Sequence, residues 1–167
     1  MKPHLFLDID GVMNNTGSRE ATKCLFHHVL TFLGRPLQKT DLDIDEFNAQ
    51  LVIDLITKYE FKVVITSMWR FGAKPEWFQQ LFALYGLQIP LDRIGMITLD
   101  DYECDEGMRS QFIEKYIQDN GVTDYLCLDD TFDHYDRLLD RLVLTEMKTG
   151  FTVEDFKKCV DIMEKPR

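Results

Sequence analysis

The sequence predicts an α/β fold: a parallel sheet, doubly wound, with helices on both faces. Three observations predict it. Short apolar runs that read as buried strands alternate with stretches of helical period. No repeat, low-complexity tract or linker divides the chain, so its 167 residues are expected to form one domain, 1–167, around one core. Three of the runs end in paired polar residues, at the strand ends where open parallel sheets bind ligands.

The first run, residues 4–9 (HLFLDI), ends at an Asp10-Gly11 turn. Residues 61–66 (FKVVIT) form the second, followed by Ser67. Residues 124–128 (DYLCL) form the third and lead into Asp129-Asp130. Two weaker runs, 93–98 and 141–145, are further strand candidates. Helical spacing fills the intervals: Phe47, Leu51, Leu55 and Tyr59 in 45–59; Trp77, Leu81 and Leu84 in 76–85; Met108, Phe112 and Tyr116 in 107–118; and Val153, Phe156, Val160 and Met163 in 153–163. Residues 13–44 fit this alternation least well. They are expected to form a small cap-like insertion with a helix over 20–33, between the first and second polar strand ends.

Composition narrows the function. Apolar residues make up 45% of the chain and charged residues 29%, as in ordinary globular proteins. No apolar run approaches the ~18 residues that span a bilayer, and the N-terminal segment lacks the long apolar stretch of a signal peptide. A cytoplasmic location and no membrane partner are therefore expected. Cys24, Cys104, Cys127 and Cys159 are scattered, without a CxxC pair, and read as reduced, mostly buried thiols. His4 reads as structural, and the His27-His28 pair as structural or exposed. A net charge of −10 disfavours non-specific duplex binding, although a bound metal can invert the sign of a local site. There is no GxxxxGK[ST] loop, which argues against a kinase.

Asp8 and Asp10 stand two apart, which on an extended backbone turns both carboxylates to one side. Carboxylates that close repel, and a cation between them favours ionisation of both. Mg²⁺ suits such a site, since it prefers oxygen ligands and keeps several waters. A carboxylate can also attack phosphorus, and a second can protonate the leaving alkoxide and then activate water. An Asx-turn closing a strand would look much the same in isolation. The apolar run before it and the polar strand ends downstream favour the catalytic reading.

LFLDIDGV resembles the first motif of the haloacid dehalogenase (HAD) superfamily, an apolar strand followed by Asp-x-Asp-Gly. The resemblance implies that Asp8 is nucleophile and metal ligand. It implies that Asp10 is the general acid/base and gives its backbone carbonyl to Mg²⁺. An Asp at this second position is the mark of the phosphatases and phosphomutases of that superfamily. VVITS resembles the second motif, with Thr66 as the hydroxyl on the phosphoryl group and Ser67 beside it. The third motif supplies a cation, for which Arg109 is the candidate, although Asp105 and Glu106 before it depart from the usual Lys-Gly form. LCLDD resembles the fourth motif, in which one of Asp129 and Asp130 binds Mg²⁺ and the other orients a metal-bound water; Asp133 is an outer candidate. The four motifs run in family order from residue 5 to residue 130.

The SMWR segment after the second motif is similar to the small HAD domains associated with RNA-repair proteins. In that setting Trp69 would stack on a base and Arg70 would pair with a phosphate. The other reading packs Trp69 in the core and leaves Arg70 in a surface ion pair. Together these features imply a doubly wound, Rossmann-like, Mg²⁺-dependent phosphomonoesterase acting on a phosphorylated substrate, with a nucleic-acid end as the expected target and no obligatory protein partner evident. A small-metabolite phosphatase and a HAD-fold binding module without activity are the rival readings.

Overall fold

The structure, a computed structural model, describes residues 2–17, 36–97, 109–131 and 138–165. Most of the 13–44 insertion, including the expected 20–33 helix and His27-His28, lies outside the described residues. So do Cys24, Cys104, Asp105, Glu106, Met108 and Asp133.

Five parallel strands form one sheet: β1 (His4–Leu7), β2 (Lys62–Ile65), β3 (Ile94–Met96), β4 (Tyr125–Asp129) and β5 (Leu142–Leu144). Their spatial order is β3-β2-β1-β4-β5, every neighbouring pair being parallel. The order changes direction between β1 and β4, so a crevice opens there at the carboxyl edge. Register decides what lines it. Leu7 pairs with Ile65 on one side and Leu128 on the other, so Asp8, Thr66 and Asp129 follow in one row.

The strands are apolar on both sides because both sides are covered. Leu5, Leu7, Val63, Ile65, Leu126 and Leu128 face the larger core. It is completed by α1 (Glu46–Tyr59), α2 (Pro75–Leu84) and α4 (Val153–Glu164). Phe6, Val64 and Cys127 alternate with them onto the opposite face, against Phe112 and Ile113 of α3 (Arg109–Asn120). Complete burial of such side chains contributes about 1.5–3 kcal/mol each. Leu37, Leu42 and Ile44, at the end of the insertion, join the larger core.

Local chemistry sets the element ends. Asp45 caps α1 by accepting from the Phe47 and Asn48 amides, and Glu60 ends it in a left-handed conformation, φ 53°. Thr152 and Asp155 form a reciprocal capping box on α4. The first strand is shorter than its apolar run, because the Ile9 carbonyl accepts from the Val12 and Met13 amides and so starts a turn.

Two helix faces differ from their expected stripes. In α1, Asn48, Ala49, Val52, Ile53, Leu55 and Ile56 are buried, whereas Phe47 is 60% exposed. Four-residue steps drift by about 40° each around a helix, so a stripe from Phe47 to Tyr59 leaves the buried face. In α4, Val153 is exposed, and Asp155 and Cys159 are the buried positions. Cys127 and Cys159 are free, buried thiols. Among the described residues no helix is long and apolar enough to cross a membrane.

Candidate active site

The site forms where the loop after β1 meets the ends of β2 and β4. Asp8 is the first residue beyond β1 and is buried. Its Oδ1 accepts the Ile9 amide at 2.8 Å, and its Oδ2 accepts from Nη1 of Arg109 at 2.8 Å. The neighbouring Ser67 side chain favours the charged form of this carboxylate. Arg109 is the first residue of α3, and the same Nη1 donates to Oδ2 of Asp129. Asp129 ends β4, is fully buried, and accepts the Thr131 amide on its Oδ1 at 2.9 Å.

Asp8, Asp129 and Asp130 each offer a carboxylate oxygen, and these oxygens lie within 4.8 Å of one another. Three carboxylate oxygens are a donor set that suits Mg²⁺, a hard ion that prefers oxygen ligands and keeps several waters. The electrostatics agree. Burial, and then the neighbouring Asp129, push the Asp8 carboxyl above its usual range, with Arg109 offsetting part of the rise. Burial and then Asp8 raise the Asp130 carboxyl. Such an excess of negative charge is relieved by a cation.

The carboxylate of Asp10 lies outside that cluster. Its Oδ1 accepts from the Asn14 amide at 2.9 Å, and its Oδ2 accepts from the Trp69 indole N–H at 3.1 Å. Asn14 is fully buried and clasps the turn, since its own Oδ1 accepts the Gly11 amide at 2.8 Å. Gly11 has φ 66°, and a Cβ there would lie 2.5 Å from the Asp130 side chain. Both facts demand glycine. At the end of β5, the buried Thr145 hydroxyl donates to the Gly11 carbonyl at 2.7 Å.

Thr66 follows β2 and is buried, and its hydroxyl has no hydrogen-bond partner among the described residues. The 3₁₀ turn Met68–Arg70 comes next, with Ser67 as its cap. The packed reading of Trp69 fits its position: it is 6% exposed and meets Trp77 edge to face at 6.0 Å. Arg70 does not lie at the surface. It is buried, and its guanidinium donates to the carbonyls of Thr66 at 2.6 Å, Ser67 at 2.8 Å and Ile97 at 3.1 Å. It thereby fastens the end of β2 to the residue that follows β3.

A second latch holds the loop after β1 from the other side. The Asn48 amide donates to the carbonyls of Thr149 (3.0 Å) and Phe151 (2.9 Å), and its oxygen accepts from Asn15 (2.9 Å). The Phe151 amide donates to the Val12 carbonyl at 2.9 Å.

Asn14, Asn48 and Thr145 were not picked out by the sequence reading. Thr145 was within reach of it, because it is a polar residue closing a strand, as Thr66 and Asp129 are. Asn14 and Asn48 carry no such signal.

A parallel sheet of order 3-2-1-4-5, with acids closing its first and fourth strands and a cation leading the helix between β3 and β4, defines a HAD-type domain. The chain belongs to the family described as the HAD domain in Swiss Army Knife RNA repair proteins, whose family model matches residues 4–156. No curated protein and no solved structure matches the chain.

Proposed function

We propose that this domain is a phosphomonoesterase that forms an aspartyl-phosphate on Asp8 and acts on a phosphorylated nucleic-acid end. The observation that carries the catalytic part is the buried Asp8, gathered with Asp129 and Asp130 and bridged to Asp129 by Arg109. The family's occurrence in RNA repair proteins supports the substrate class.

Asp8 donates an electron pair to phosphorus, and the bond from phosphorus to the leaving oxygen breaks. Asp10 gives that oxygen its proton. Asp10, now a carboxylate, takes a proton from water; the water oxygen attacks phosphorus, the Asp8–phosphate bond breaks, Asp8 and protonated Asp10 are regenerated, and inorganic phosphate is released. Arg109, which donates to Asp8, would neutralise the phosphoryl oxygens during transfer. The Thr66 hydroxyl, without a partner among the described residues, is a donor for one of those oxygens. Asp8, Asp129, Asp130 and the Asp10 carbonyl would hold Mg²⁺, which supplies positive charge to the transferring phosphoryl group. Ser67 orients Asp8. In this reading Arg70 supports the phosphate site through the backbone of Thr66 and Ser67.

A phosphate-release screen tests the proposal. It compares 3′- and 5′-phosphorylated oligonucleotides, nucleotides and sugar phosphates, with Mg²⁺ and with EDTA. Release from an oligonucleotide end, dependent on Mg²⁺ and absent in Asp8→Asn, is expected. A clear preference for a free nucleotide or a sugar phosphate would move the substrate to a small metabolite. No release from any substrate would favour a binding module.

A further inference from the structure

The Asp10 carboxylate is gripped on both oxygens by neutral N–H donors from two different loops. A half-buried carboxylate needs no such pair for its own solvation, since water is at hand. Each donor is itself fixed. Asn14 is locked by the Gly11 amide, and Trp69 is wedged on Trp77, on a turn anchored by the three carbonyl bonds of Arg70. Rigid donors of this kind set the direction of a carboxylate, and acid catalysis depends on that direction.

We infer that the Trp69 indole N–H, together with the Asn14 amide, is a positioning device for the general acid Asp10, and that Trp-Arg after β2 serves this purpose rather than the stacking of a base. The inference rests on the phosphatase reading and deepens it. Trp69 aims the Asp10 carboxyl at the leaving oxygen, and Arg70 holds the turn that carries Trp69. A device of this kind matters in proportion to the proton the leaving group needs. An alkoxide leaves only when protonated, whereas 4-nitrophenolate leaves as the anion.

The experiment compares β-glycerophosphate with 4-nitrophenyl phosphate by kcat/KM, which reports the steps up to phosphoryl transfer. Trp69→Phe removes the N–H and keeps a ring against Trp77. A second variant places β-(3-benzothienyl)alanine at position 69, which keeps the indole shape with sulfur in place of the N–H, so packing is preserved. Both should lose at least about 10-fold on β-glycerophosphate and no more than about threefold on 4-nitrophenyl phosphate, within the 10²–10⁴-fold range of acid catalysis. The benzothienyl protein should melt as the unmodified one does. Equal losses on both substrates, or none on either, would overturn the positioning role. If the unmodified protein hydrolyses both substrates and only the selectivity fails, the phosphatase reading survives and the positioning role does not. If it hydrolyses neither, the phosphatase reading falls and takes the positioning role with it.

Discussion

Asp8 and Asp10 stand two residues apart, yet the fold treats them as opposites. Asp8 sits among like charges, with Asp129 and Asp130 close by and one guanidinium bridging it to Asp129. Asp10 sits among neutral donors, one on each oxygen. The first arrangement leaves an excess of negative charge for a cation to complete. The second holds its carboxylate with the protein's own groups. Under the proposed mechanism the difference separates two duties within one loop: a nucleophile tied to a cation site, and a proton carrier held in one direction.

Replacing the nucleophile is the most severe way to break this comparison. Asp8→Asn should lower turnover by more than about 1,000-fold, the order expected when a covalent nucleophile is lost, while far-UV circular dichroism stays unchanged. Turnover near the original rate in that folded protein would sink the aspartyl-phosphate mechanism. Arg109→Ala should cost about 100- to 1,000-fold in kcat, as loss of one preorganised donor does. A change within a few-fold would place the cation of the site elsewhere.

Asp130→Asn sharpens the electrostatic side. Asp8 and Asp130 bind protons more readily in the folded protein than when unfolded. Their contribution to stability is therefore full below the ordinary carboxylate range and is lost as pH rises through their raised folded values. The metal-free protein should gain stability at neutral pH when one of these charges is removed, so the variant should melt a few degrees higher in EDTA. Mg²⁺ should raise the melting temperature of the unmodified protein more than that of the variant. A variant that melts lower in EDTA would show that Asp130 is satisfied without a cation.

Thr145→Val tests the frame under both acids, and its effect should be the smallest. It removes the hydroxyl that bonds the Gly11 carbonyl, costing about 1 kcal/mol. For a domain of this size that lowers the melting temperature by about 2–4 °C. An unchanged melting temperature would mean that solvent replaces this bond without loss.

The sheet was legible because its strands are apolar runs closed by polar pairs, and parallel register turns those closures into one row. The acids at 8, 10, 129 and 130 and the hydroxyl at 66 stood out because phosphate chemistry restricts which residue types can close such strands. Arg109 was picked out through the resemblance, whose third motif places a cation near the start of the helix before the fourth strand. The destination of Trp69 was not, because its partner Asp10 lies 59 positions away and a tryptophan beside a site suits a base, a core or a carboxylate equally well. Asn14 and Asn48 were silent for a related reason. An asparagine that latches backbone groups looks, in sequence, like any loop asparagine. The face of α1 was misjudged where four-residue spacing was followed past the point at which a helix turns it away from the core; in α4 Phe156 and Met163 of the expected stripe do pack on the core, and Val153 does not.

The Asn48 latch bears on how small this domain can be made. The recognisable motifs end at residue 130, and a designer trimming the chain to its chemistry would be tempted to stop near β5. The loop that carries Asp10 and Asn14 is nevertheless moored to backbone at 149 and 151, through Asn48 and through the Phe151 amide on Val12. A piece cut before residue 149 would keep each candidate catalytic side chain and lose these moorings of the loop that carries two of them, Asp8 and Asp10. The shortest fragment with the motifs and the shortest fragment with the site are different lengths of chain.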